Sequence, residues 1–231
     1  MAETLILIPG FANDERTWKH QIENLKEIYD VRVLIMDGFS SRQDMVENLL
    51  KHAPEHFVLA GHSMGGWIAQ AAAAFGNERV TKLLLLNTWA TLSPEMVQMQ
   101  KEISQALKRG RTPEILQQYL GMLIHSSRLQ DVPLIQLLQS MMSHFPLETL
   151  IAQIEAMLAD SSSLHYHSSI KAPTLVLHSR QDALFPKEHE LLLTGIKNST
   201  LITIEDCGHS SLLEKPEEIT SKLLSFMQKK S

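Results

Sequence analysis

Six short apolar runs recur along the chain: LILI (5–8), VRVLIM (31–36), FVLAG (57–61), KLLLLN (82–87), TLVLHS (174–179) and TLITIE (200–205). Each is short, rich in Leu, Ile or Val, and nearly continuous in apolar character, as a strand covered on both faces must be. Helix-like stretches separate the first four, at Asp14 to Glu27, Ser41 to His52 and Met64 to Phe75. Strand and helix in alternation point to a parallel sheet, because parallel neighbours are joined by crossovers whose helices cover the faces. With 231 residues, 44% of them hydrophobic, the chain can build one such domain carrying an insertion.

The alternation breaks between Asn87 and Pro173, where no strand pattern occurs. Ser93-Pro94-Glu95 and Thr112-Pro113-Glu114 each combine a capping side chain, a proline in the first turn and an acid near the positive helix end. Asp131-Val132-Pro133 and Phe145-Pro146-Leu147-Glu148 mark two further helix starts, and Gly110 stops the first helix. A helical excursion inserted into a parallel sheet is expected to cap the strand ends. We therefore expect a core of residues 1–87 and 171–231 and a helical cap over 88–170.

Charge and sorting signals narrow the partners. Twenty-one basic against 26 acidic residues give a net charge of −5, which argues against nucleic acid or an anionic membrane. The start, MAETLILIPG, carries an acid and too short an apolar run for a secretory signal, and no stretch has transmembrane length. Cys207 is the only cysteine, so no intrachain disulfide forms and a reducing compartment fits. The expectation is a cytoplasmic protein with neither membrane nor nucleic-acid partner.

The string AGHSMGG (60–66) stands where the third apolar run meets the helix-like WIAQAAAAF. Ser63 either caps that helix, or the glycines permit a strained turn that presents its hydroxyl as a nucleophile. A serine nucleophile needs a base, and the base needs an orienting acid. Asp182 follows TLVLHS and His209 follows TLITIE. The order Ser63, Asp182, His209 fits three groups at the carboxyl ends of strands, the edge where parallel sheets bind ligands. Asp206 competes for the acid's place, but its Asp-x-Gly loop is equally explained by a carboxylate bonded to local backbone N–H groups. Asn87 is an amide and cannot supply the charge.

Other residues have plainer readings. His62 is expected to point away from Ser63 in a structural role, and Trp67 to pack in the core. Cys207 reads as a small, half-buried side chain. His165 and His167 lack a third and fourth ligand, so no metal site is expected. The run Lys108-Arg109-Gly110-Arg111 reads as a solvated helix end, or as a guide for an anionic substrate or carrier protein.

The segments GHSMGG, SRQDALFP and DCGHSSLLEKP resemble the nucleophile, acid and histidine segments of the α/β-hydrolase superfamily, and the resemblance covers nearly the whole chain, most weakly the cap. It implies an α/β fold with a mostly parallel, doubly wound sheet in the order 2-1-3-4-5-6, short of the family's first hairpin. That order sets the ends of strands 1 and 3 side by side, so Gly10-Phe11 should face Ser63. The backbone N–H groups of Phe11 and Met64 are then the expected oxyanion donors. Family members commonly carry His-Gly where this chain has Pro9-Gly10; the donor is backbone in either case.

Met96, Met99, Met122, Met141, Met142 and Met157 all lie in the cap, and flexible thioethers make an adaptable apolar wall. Phe11, Trp89, Met122 and Met142 are the expected substrate contacts. The resemblance thus implies a serine esterase for a small to medium, mainly apolar carboxylic ester, acting through an acyl-enzyme without a cofactor. Size and cap resemble the superfamily's pimeloyl carrier-protein methyl-ester esterases and carbon–carbon bond hydrolases, which makes an acyl carrier protein a candidate partner. Thioesterase, lyase and perhydrolase chemistry, and a ligand receptor with a slow triad, are the alternatives on this scaffold.

Overall fold

A computed structural model describes residues 2–110, 112–186 and 188–229, excluding the side chains of 112–116, 118 and 189. The six apolar runs form one parallel sheet in the order β2-β1-β3-β4-β5-β6. Its strands are β1 (Thr4–Ile8), β2 (Asp30–Val33), β3 (Phe57–His62), β4 (Val80–Leu86), β5 (Thr174–Ser179) and β6 (Ser199–Ile204). Strand β1 shows why the runs are continuously apolar. Leu5 and Leu7 face one layer of helices while Ile6 and Ile8 face the other, all at most 1% exposed.

Two helices, α1 (Lys19–Leu25) and, at the carboxyl end of the chain, Pro216–Met227, cover the face of Leu5 and Leu7. The opposite face is covered by α2 (Arg42–His52) and α3 (Met64–Gly76). Four alanines in succession let α3 lie close to the sheet, and nearly the whole helix is buried.

Several expected boundaries move. Strand β2 ends at Val33, whereas the apolar run continues to Met36. It is an edge strand with only β1 to pair with, and β1 itself ends at Ile8. The single helix expected from Asp14 to Glu27 is a 3-10 turn, Glu15–Trp18, followed by α1. Asp14 causes the break: its carboxylate accepts from Arg16 N–H (3.0 Å) and the Arg16 guanidinium, which fixes a tight first turn. The run KLLLLN ends one residue early, because Asn87 takes φ 45° and turns the chain out of the ladder.

Between β4 and β5 come α4 (Pro94–Lys108), α5 (Thr112–Leu123), α6 (Val132–Met142), α7 (Leu147–Ala159) and a single turn, α8 (Leu164–His167). Ser93 Oγ accepts from Met96 N–H (3.2 Å) and Asp131 Oδ1 from Leu134 N–H (3.1 Å), so two of the expected caps form. The side chains of Thr112, Pro113 and Glu114, and all of Arg111, lie outside the described residues. Met96, Met141, Met142 and Met157 are buried in one apolar cluster with Ile6 and Ile8 of the sheet, so these helices share the core of that face.

Arg42 fastens this layer. Only 2% exposed, it lies between the rings of Trp67 (4.6 Å) and Tyr166 (4.8 Å). Its guanidinium donates to Asp160 Oδ2 (2.8 Å), Ser163 Oγ (2.7 Å) and the Ser162 carbonyl (3.0 Å). A buried charge is tolerated only when its donors are met, and here they are. Among the described residues no helix is long and apolar enough to cross a membrane. The last helices of the chain, α9 (Glu188–Gly195), α10 (Ser211–Glu214) and α11 (Pro216–Met227), flank β6 and the loop after it.

Candidate active site

Ser63 joins β3 to α3 at φ 54° and ψ −120°, a conformation that costs a residue with a Cβ about 1–3 kcal/mol. The glycines around it permit that turn. A Cβ on Gly61 would come within 2.2 Å of the Gly65 carbonyl oxygen, and one on Gly65 within 2.1 Å of the Ile8 oxygen. The Ser63 N–H donates to the Leu86 carbonyl (2.9 Å), and its own carbonyl accepts from Gly66 N–H, Trp67 N–H and Thr88 Oγ1. Its hydroxyl makes no capping bond to α3, so the capping reading fails.

The other two candidates meet at the same sheet edge. Asp182, in the loop after β5, accepts from His209 Nδ1 through Oδ2 at 2.9 Å, and the two are 1% and 2% exposed. Asn87 Nδ2 donates to the same oxygen (2.9 Å), while the N–H groups of Leu184 (2.9 Å) and Phe185 (3.1 Å) donate to Oδ1. Burial opposes ionisation of Asp182, but His209 and these donors outweigh it and hold the carboxyl down at about 2. With Nδ1 donating to Asp182, neutral His209 keeps Nε2 free as an acceptor.

A continuous chain of contacts then closes on Ser63. His62, the residue before it, bonds through Nε2 to the His209 carbonyl (2.9 Å), and the two rings stand 5.0 Å apart. On the other side Thr88 holds the Ser63 carbonyl, and its neighbour Asn87 holds Asp182. Since a carbonyl only accepts, His62 carries its proton on Nε2. Burial first, and then repulsion from His209, depress its pKa to about 3, so it is neutral. His62 thus has the structural role expected of it, and that role is to brace the backbone of His209. Asn87 cannot be the acid, yet its amide bridges Asp182 and the Ser211 hydroxyl (2.7 Å).

The loop after β1 faces the serine. A Cβ on Gly10 would lie 3.1 Å from Ser63 Cβ and 3.3 Å from His62 Nδ1. Neither Phe11 N–H nor Met64 N–H has an acceptor among the described residues. The next residue, Ala12, takes φ 55° and donates its N–H to Gln153 of α7, whose amide also donates to the Met36 carbonyl (3.0 Å). The Phe11 ring meets Tyr119 of α5 edge-on at 6.0 Å. Burial first, and then the Asp182 charge, push the Tyr119 hydroxyl up.

Trp89 is 1% exposed and stacks on Phe185 at 4.9 Å, and Phe185 in turn lies 5.5 Å from His209. Met122 is half-buried on α5, whereas Met142 is 3% exposed and packed inside the cluster that includes Ile6 and Ile8. Asp206 stands apart, exposed at φ 50°. The backbone bonds expected of its carboxylate are made by others: Gln181 Oε1 accepts from Cys207 N–H (3.2 Å), and Glu214 Oε1 from Gly208 N–H (3.1 Å). Cys207 is fully buried rather than half-buried, and burial pushes its thiol up to about 12.

His165 packs on Tyr166 and His167 bonds Gln70 Oε1 (2.8 Å). Among the described residues no three His, Cys, Asp or Glu side chains are grouped to hold a metal. Lys108 pairs with Glu155 at the surface, and Arg109 is exposed.

Residues 3–216 match a protein family described as "alpha/beta hydrolase fold". The chain is 25% identical over 246 positions to a pimeloyl-[acyl-carrier protein] methyl ester esterase of Pectobacterium carotovorum, covering 97% of this chain and 94% of that protein. It is 28% identical over 254 positions to 2-hydroxy-6-oxononadienedioate/2-hydroxy-6-oxononatrienedioate hydrolase 2 of Pseudomonas putida, with 98% and 88% covered. A thermophilic esterase from Thermogutta terrifontis superposes with a TM-score of 0.86 at 26% identity, over 98% of this chain and 91% of that one.

Proposed function

The chain belongs to the α/β-hydrolase fold family, and from that premise we propose a serine hydrolase that cleaves a small to medium, mainly apolar carboxylic ester. The observation that carries this reading is the buried Asp182–His209 pair, bonded at 2.9 Å within a contact chain that closes on Ser63. Ser63 Oγ attacks the ester carbonyl as His209 Nε2 takes its proton, and ionised Asp182 orients and stabilises the imidazolium. The oxyanion meets the N–H groups of Phe11 and Met64, and His209 returns the proton to the departing alcohol. Water, deprotonated by the same histidine, then releases the acid and restores Ser63.

In this reading residues 88–170 form the cap over a core of 1–87 and 171–231, and the acyl group lies among Phe11, Trp89, Met122 and Met142. An acyl carrier protein is the candidate partner, on the strength of the Pectobacterium relative's name. A second reading, carbon–carbon bond hydrolysis, draws on the comparable identity to the Pseudomonas putida enzyme.

Turnover of p-nitrophenyl esters from acetyl to dodecanoyl separates the two. The expected result is hydrolysis with kcat/KM rising from acetyl to medium acyl chains. A protein inert to every ester but active on a 2-hydroxy-6-oxo-dienoate would establish the second reading instead.

A further inference from the structure

Glu214 ends α10 five positions after His209 and has no place in the chemistry above, yet it is only 5% exposed. A carboxylate withdrawn from water must find donors. Both of its oxygens do: Gly208 N–H donates to Oε1 (3.1 Å) and His125 N–H to Oε2 (2.8 Å). Gly208 directly precedes His209, whereas His125 lies just beyond the end of α5, in the helical layer between β4 and β5.

Two further bonds join the same segments. Ser210 N–H, on the other side of His209, donates to the Leu123 carbonyl (2.7 Å), and the Arg128 guanidinium donates to the Glu214 carbonyl (3.1 Å). The loops also touch, since a Cβ on Gly208 would stand 2.4 Å from His125 N. His209 is thus bracketed on both flanks by bonds that lead to the end of one cap helix.

We propose that Glu214 is a positioning residue that holds His209 in register by clasping its loop to the end of α5, so that the seating of the cap helix sets the imidazole. The inference rests on the serine-hydrolase reading. The side-chain type follows from the donors. Two N–H groups arrive at separate oxygens, whereas a glutamine offers one oxygen and turns its own NH₂ toward the second donor. One buried donor is then stranded. An aspartate is one methylene too short to span the gap.

The test uses the full chain with Glu214→Gln, p-nitrophenyl butyrate turnover and the rate of capture by a fluorophosphonate. Misplacing the base should lower kcat and the capture rate roughly ten- to a hundredfold with KM little changed. In a His209→Ala background the same substitution should cost nothing more, because both act through one group. A merely structural role would lower both backgrounds alike.

His125→Pro is the second variant. Its backbone φ of −59° already suits proline, and the change removes one donor to the carboxylate, together with the imidazole that accepts from Ser127 N–H. It should reproduce the loss, and it decides the matter if Glu214→Gln does not fold. Folded variants that are captured and turn over within about twofold of wild type overturn the clasp alone, as do equal losses with and without His209. A wild-type protein that neither turns over ester nor is captured overturns the hydrolase reading, and the clasp with it.

Discussion

Asp182 has four donors directed at its two oxygens, and that arrangement separates it from every other acid near His209. Replacing it with asparagine turns an NH₂ toward either the backbone pair or the histidine, and removes the charge that stabilises an imidazolium. We expect Asp182→Asn to lower kcat by about four orders of magnitude at neutral pH. Asp206→Asn, at an exposed position with no part in the contact chain, should stay within about twofold of wild type. Kinetics on folded variants check the ranking, and its reversal would move the acid to Asp206. The placement of Ser63 at the β3–α3 turn and the pairing of Asp182 with His209 were legible in the sequence, because chemistry restricts the residue types and the sheet restricts their order. The supports were not. His62 reaches across 147 residues to the His209 carbonyl and Asn87 across 95 to Asp182. No local pattern encodes such bonds, and a histidine or an asparagine beside a turn has many plainer uses.

The elements were legible wherever burial on both faces forces an apolar run, as in β1, β3 and β5. Their ends depend on neighbours: β2 stops where β1 stops, and Asn87 turns the chain out of β4. Two elements also bury histidines that set a pH dependence. His62 at the end of β3 and His167 in α8 are each 2% exposed. Burial, and then a neighbouring histidine in each case, lowers the first from 6.5 to about 3 and the second to about 4. Both therefore bind fewer protons folded than unfolded, so stability is fully present above pH 6.5 and is lost as pH falls toward those values. Each contributes up to about 1.4 kcal/mol per pH unit inside its window. Asp182, held down from 3.8 to about 2, has its contribution in full above pH 3.8 and loses it as pH falls from there through about 2. Glu188 and Glu214, raised by burial, act in the opposite sense above pH 4.5. A variant comparison therefore isolates His62: the difference between urea midpoints at pH 5 and pH 7 should shrink in His62→Gln relative to wild type. An unchanged difference would show that His62 is not held neutral.

At the scale of the whole molecule, strand order does most of the work of building the site. The order β2-β1-β3-β4-β5-β6 sets the ends of β1 and β3 side by side, while β5 and β6 deliver Asp182 and His209 to the same edge. This order could be read in the sequence only through the chain's resemblance to the α/β-hydrolase superfamily, although the alternation of strand and helix by itself implied parallel pairing. The attachment of the helical layer between β4 and β5 could not. Its methionines share a cluster with Ile6 and Ile8, and Arg42, Gln153 and Glu214 stitch it to α2, the Phe11 loop and the His209 loop through bonds between segments distant in sequence. The central claim is that this assembly exists to make Ser63 a nucleophile. Its most direct test is intact-protein mass spectrometry after fluorophosphonate treatment, followed by peptide mapping and ester turnover. One adduct is expected, located on Ser63 and absent from Ser63→Ala, with turnover lost by about a million-fold in that variant. A folded Ser63→Ala protein that still forms the adduct and still cleaves ester at a rate near wild type would contradict it.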